Sequence, residues 1–132
     1  MSDVDPRLGL TVVHRRYVPF SHAHYAGDLV DGAYGLGLFG DVATEMCIRT
    51  DGDEGLFASY SDVQFIAPVR AGDVVEVTAT LVRVGRRSRE LQLEVRVVCR
   101  ARARADAPPG RSDVLDPAVV ATTATGTVVV PG

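Results

Sequence analysis

Two periodicities divide this chain. Over residues 90–101, Leu91, Leu93, Val95, Val97, Cys99 and Ala101 fall on one side, while Glu90, Gln92, Glu94, Arg96 and Arg100 fall on the other. A period of two with one charged face marks an antiparallel strand whose sheet is covered on a single side. The strand before it repeats the pattern, with Val75, Val77, Ala79 and Leu81 set against Glu76, Thr78, Thr80 and Val82. Residues 56–69 and 118–130 read as two more strands, and residues 10–18 as a first strand ended by Pro19. Between the first and second strands the period lengthens. Ala33, Leu36, Gly40, Ala43 and Cys47 recur at three- and four-residue steps, predicting a helix over residues 28–49. Asp28 or Asp31 can cap its start, and the Asp- and Gly-rich residues 51–55 stop it.

One helix and one antiparallel sheet can bury each other's apolar faces. The order strand, helix, four strands therefore predicts an α+β domain: one long central helix wrapped by a five-stranded antiparallel sheet. The 132 residues suffice for one such domain over residues 1–132, with a flexible tail at 1–8 and an exposed loop at 106–117. A single copy leaves part of the helix uncovered, so a homodimer at least is expected.

Composition narrows the chemistry. A net charge of -3 does not describe a nucleic-acid-binding domain, and no apolar run reaches the roughly 18 residues of a membrane span. No signal-like segment opens the chain, so a cytoplasmic protein is expected. Cys47 and Cys99 lie far apart in apolar stretches and read as buried free thiols. All 14 basic residues are arginines. Without a lysine amine, Schiff-base chemistry is excluded. Three histidines and no paired-cysteine pattern argue against a metal, and no cofactor is expected. Catalysis must come from carboxylates, histidine, tyrosine, hydroxyls and the backbone.

Gly32, Gly35, Gly37 and Gly40 all fall in the predicted helix, each costing roughly 1 kcal/mol relative to alanine. Either close packing or room for a ligand chain explains them. Gly32, near the start, can present a free backbone N–H to a developing oxyanion. Among the acids, Asp31 and Glu45 stand 14 positions apart, roughly 21 Å along a helix, and cannot pair within one subunit. Glu45 faces either Asp41 or Arg49, both at four residues' distance. Asp41 sits mid-helix with no basic residue at i±4, either on the solvent face or placed for function. His24 and Tyr25 lie in the loop entering the helix. Arg86, Arg87, Ser88 and Arg89 occupy a hairpin that is either a solvated turn or a phosphate-binding cluster.

The stretches AHYAGDLVDGA (residues 23–33) and LFGDVATE (residues 38–45) resemble the β-alanyl-CoA and 3-aminobutyryl-CoA ammonia-lyases, hotdog-fold proteins related to acyl-CoA thioesterases. The likeness continues through residues 51–56, 65–69, 113–115 and 124–127. It implies the hotdog fold and reversible loss of ammonia from a 3-aminoacyl-CoA, with an acyl-CoA thioesterase or a non-catalytic acyl-CoA binding protein as the alternatives. It also implies a homo-oligomer, a dimer or an assembly of dimers. In that chemistry a carboxylate removes the α-proton, with Asp41 preferred over Glu45 and Asp31. His24 or Tyr25 can protonate the leaving ammonia, Gly32 serves the thioester oxygen, and residues 86–89 hold coenzyme A.

Overall fold

The computed structural model describes residues 4–102 and 107–132. Its elements are β1 (Thr11–Tyr17), β2 (Ala23–Tyr25), β3 (Leu29–Val30), α1 (Gly32–Asp51), β4 (Leu56–Phe65), β5 (Val74–Val84), β6 (Ser88–Ala101) and β7 (Ser112–Val129). The large sheet runs β1-β5-β6-β7-β4, antiparallel throughout, and β2 pairs with β3 in a small ribbon. The predicted five-stranded sheet around one helix is the observed architecture.

The alternation read from the sequence explains how helix and sheet meet. Val75, Val77, Ala79 and Leu81 of β5 and Leu91, Leu93, Val95 and Val97 of β6 are buried against Phe39, Val42, Met46 and Cys47 of α1. Full burial of each Val, Leu, Phe or Met side chain stabilises the fold by about 1.5–3 kcal/mol. The opposite face of the sheet carries cross-strand polar pairs, among them Arg15 with Glu76 and Thr125 with Gln92. Burial also pushes the Cys47 thiol up to about 11, so it stays protonated at neutral pH.

The helix starts at Gly32, four residues later than the periodicity predicts. Gly27 (φ 74°) and Asp28 (φ 61°) are both left-handed, which no α-helix tolerates, and they turn β2 into β3. Asp31 is extended and is the N-cap: its Oδ1 accepts the Tyr34 N–H at 3.1 Å. At the other end α1 continues to Asp51 and closes on left-handed Gly52, whose N–H reaches the Ile48 carbonyl at 2.9 Å.

Two boundary expectations need correction. The fifth long strand begins at Ser112, because Ser112, Asp113 and Val114 already pair with Ala101, Arg100 and Cys99. Residue 106 of the expected loop lies outside the described residues, as do residues 1–3 of the expected tail. The rest of that tail is tied down. Arg7 pairs with Asp5 and reaches Asp51 at the end of α1, and the Gly9 N–H donates to the Leu81 carbonyl.

Candidate active site

A cavity of about 430 Å³ opens where α1 begins, between the helix and the inner faces of β5, β6 and β7. Apolar groups dominate its wall: Val30, Leu38, Val69, Val75, Val95, Phe65 and Ile66. The polar groups that reach it are Tyr25, Asp31, Tyr34 and Thr122. An apolar pocket with a few convergent polar groups is the usual form of a small-molecule site.

The helix start supplies the electrostatics. The N–H groups of Gly32 and Ala33 precede the first i−4 hydrogen bond, so the positive end of α1 faces this cavity with unsatisfied donors. Gly32 also lets the Phe65 ring lie close over the helix start. A Cβ there would stand 2.5 Å from Cε1 of the Phe65 ring, on the opposite wall. Asp31 lines the cavity beside these donors. One of its oxygens caps the helix, while the other lies 3.8 Å from Nδ1 of the exposed His24. The Tyr25 ring stacks edge-on against His24, so the loop residues predicted for the site do gather there.

The other two acids do not. Asp41 is exposed on α1, outside the cavity, and has no hydrogen bond or ion pair among the described residues. Glu45 accepts Nε2 of His14 and Nε of Arg49, each at 2.8 Å. The Arg49 and His14 hydrogen bonds hold its carboxyl below the ordinary range, the reverse of a base whose pKa is raised by burial. Arg16 Nη2 lies 3.3 Å from His14 Nδ1. A guanidinium can only donate, so in this arrangement Nδ1 accepts from Arg16 and Nε2 faces the Glu45 carboxylate.

The arginine hairpin lies at the far end. Arg89 pairs with Asp51, the last residue of α1, whereas the cavity surrounds the first turn of this 20-residue helix. That separation is roughly 30 Å at 1.5 Å per residue. Within one chain Arg86, Arg87 and Ser88 therefore do not reach the cavity. Arg89 is not available to any phosphate. It is 5% exposed, grips both Asp51 oxygens at 2.6 and 2.9 Å, and donates to the Gly85 and Ser88 carbonyls.

This pair gives the fold an acid-sensitive lock. The Arg89 hydrogen bond holds the Asp51 carboxyl below the usual carboxylate range. A carboxyl depressed in the folded state stabilises it fully above the unfolded pKa, about 3.9, and that contribution is lost as pH falls through the folded value. Asp51→Asn should therefore melt below wild type at pH 7 and lose less of its Tm between pH 5 and pH 3. Parallel melting curves at equal salt would check this; parallel pH dependence in the two proteins would refute it.

The sequence reading assigns no site role to Tyr34, Phe65 or Thr122, which all line the cavity. Tyr34 stands three residues after the N-cap, a spacing that places it over the helix entrance. Its ring packs 4.5 Å from that of His22, and burial raises its phenol above the usual value. The helix glycines, by contrast, are only partly explained by this chain's own packing. A Cβ at Gly35 would meet Val95 and Thr122 at ordinary contact distance, and one at Gly37 or Gly40 would meet nothing within 4 Å.

Comparison with known proteins agrees with this geometry. Residues 32–101 match the model of the family described as the thioesterase superfamily. The chain is 50% identical over 109 residues to the 3-aminobutyryl-CoA ammonia lyase of Acetoanaerobium sticklandii, covering 83% of this chain and 85% of that one. Its fold superposes on the β-alanyl-CoA:ammonia lyase from Clostridium propionicum with a TM-score of 0.87 and 35% identity, covering 93% and 86% of the two chains. An acyl-CoA hydrolase from Staphylococcus aureus shares the fold at a TM-score of 0.71 with 17% identity, over 92% of this chain and 63% of the other. This chain belongs to the thioesterase superfamily of hotdog proteins, and within it to the family of the 3-aminoacyl-CoA ammonia lyases.

Proposed function

We propose that this protein is a carbon–nitrogen lyase that reversibly eliminates ammonia from a 3-aminoacyl-CoA to give the 2,3-enoyl-CoA. The observation that carries the reading is the meeting of one carboxylate, Asp31, with the unsatisfied N–H of Gly32 at the start of α1, at an apolar cavity. In the elimination, a base takes the C2 proton and the electron pair moves onto the thioester oxygen. The N–H groups at the helix start stabilise that oxygen. As the oxyanion collapses, the C2=C3 bond forms, the C3–N bond breaks and its pair leaves with nitrogen. Nitrogen departs as ammonia and takes up a proton to become ammonium.

Within one chain Asp31 is the carboxylate placed to act as base, ahead of Asp41 and Glu45. His24 and Tyr25, beside it, can relay the proton. The coenzyme A portion leaves the cavity past residues 66–70. Arg70, next in sequence to Val69 of the cavity wall, is the arginine we assign to its phosphates within one chain. The reaction needs no cofactor or metal beyond its CoA ester. Among the described residues no His, Cys, Asp or Glu group could hold a metal ion, and no helix is long and apolar enough to cross a membrane.

The exposed stripe of α1, including Gly37, Asp41, Thr44 and the 52%-exposed Ile48, favours a second copy packed against it, hence a homodimer at least.

One assay tests the function. The protein is incubated with crotonyl-CoA and ammonium while enoyl absorbance and free thiol are followed together. Loss of enoyl absorbance without thiol release is the expected result. Thiol release would make it a thioesterase, and no change in either signal would remove the lyase reading for this acyl group.

A further inference from the structure

Three polar or charged residues of the described chain are buried: Asp73, Arg89 and Thr122. Two are locked in ion pairs, Asp73 with Arg100 and Arg89 with Asp51. Thr122 is 5% exposed, and its hydroxyl has no hydrogen-bond partner among the described residues. The residue is packed in place while its hydroxyl, which no group of the chain engages, opens onto the cavity, so it is free to bind a ligand there.

The surroundings say where that ligand sits. Thr122 lies on the inward face of β7 with Ala124 and Val128, paired with Val95 of β6 and Phe65 of β4. The β6–β7 register slips beside it, where Val120 faces Arg96 and Thr122 faces Val95, leaving Ala121 as a bulge. Bulges commonly re-aim side chains next to active sites. Thr122 lines the cavity, and its Oγ would stand 3.9 Å from a Cβ at Gly35. Since that Cβ would meet no closer contact than 3.7 Å, packing does not require glycine there. Gly35 instead leaves open the space in front of the hydroxyl.

The helix sets the scale. Gly35 is three residues, roughly 4.5 Å, beyond Gly32 along α1. With the thioester oxygen on the Gly32 and Ala33 N–H groups, an acyl chain running inward brings its C3 substituent to the gap between Gly35 and Thr122. We propose that the Thr122 hydroxyl receives the nitrogen at C3, accepting one of its N–H bonds, and so selects amino-substituted acyl chains and aims ammonia at the enoyl-CoA. This rests on the lyase reading and assigns the half of the substrate that the helix start leaves unread. A hydroxyl that accepts an N–H leaves the ammonia lone pair free to point at C3. In the addition direction that pair forms the C3–N bond while the C2=C3 electrons move to the thioester oxygen, and C2 is then protonated. No oxidant or reductant takes part.

The test compares wild type with Thr122→Val and Thr122→Ser. Turnover of crotonyl-CoA is measured against ammonium concentration, and crotonyl-CoA binding is measured by calorimetry without ammonium. For Thr122→Val, kcat/KM for ammonium should fall about tenfold, the loss of one hydrogen bond that positions the nucleophile. Its crotonyl-CoA Kd should stay within about twofold, and Thr122→Ser should recover most of the loss. Unchanged ammonium dependence in Thr122→Val would overturn the assignment. Equal impairment of the Ser and Val variants would also overturn it, making the side chain a packing element. So would a crotonyl-CoA Kd that weakens in step, since the hydroxyl would then serve the thioester. Wild type unable to add ammonium would instead overturn the lyase reading itself, before any variant is compared.

Discussion

Asp31→Asn should lower turnover of a 3-aminoacyl-CoA by about 10²–10⁴-fold, the usual contribution of a positioned general base. Its melting temperature should barely move. Asparagine caps a helix about as well as aspartate, so the bond from the Tyr34 N–H survives and only the charge is removed. Asp31→Ala removes both, and should lose activity to a similar degree together with about 1 kcal/mol of stability. The same steady-state assay on Asp41→Asn locates the base. Turnover close to wild type in Asp41→Asn and collapse in Asp31→Asn assigns the base to the residue at the cavity. The opposite result would mean that a carboxylate exposed in one copy acts across an interface in another, and Asp31 would be left as a cap.

The fold was readable because its signals are local and repeated. A period of two in β5 and β6 and a period near 3.6 in α1 place the same residues in the core that the structure buries, Val75 to Leu81 and Leu91 to Val97 among them. What the sequence does not carry is backbone conformation at single residues. The left-handed turn at Gly27 and Asp28 moves the helix start to Gly32, and no periodicity reports it. The site divides along the same line. His24, Tyr25, Asp31 and Gly32 are contiguous in sequence and gather at one helix end. Phe65 and Thr122 come from strands far along the chain, and only the register of β4 and β6 on β7 brings them over that end. The sequence does not say which face of α1 meets the sheet, and the standing of its acids depends on that. Cys47 and Phe39 point inward, and that leaves Asp41 outward. In the Arg86–Arg89 hairpin, too, the sequence does not show which arginine faces inward. Arg89 alternates inward on β6, where burial and the partner Asp51 make it a structural clamp.

The largest loss of stability should come from Asp73→Ala, at a site remote from any proton transfer. Asp73 is 1% exposed, and its carboxylate accepts Arg100 Nε at 3.0 Å, Arg100 Nη2 at 2.8 Å and the Arg70 N–H at 2.8 Å. Arg100 also donates to the Pro68 carbonyl, so one ion pair fastens the whole segment between β4 and β5 to β6. Breaking a buried pair from one side typically costs 3–5 kcal/mol. Arg100 keeps a quarter of its side chain in water, which brings the expectation to about 2–4 kcal/mol, or roughly 10 °C in Tm. Asp73→Asn retains one acceptor for the Arg70 N–H and should lie between wild type and alanine. Ala67, Pro68 and Val69 of this segment line the cavity, so the alanine variant should also bind CoA esters more weakly than wild type below its melting point. Combining Asp73→Ala with Arg100→Met removes the stranded cation and should return part of the lost Tm. Thermal melts of the single and double variants measure both effects. A double variant no more stable than Asp73→Ala would mean that the Arg70 N–H bond, rather than the ion pair, holds this wall of the site.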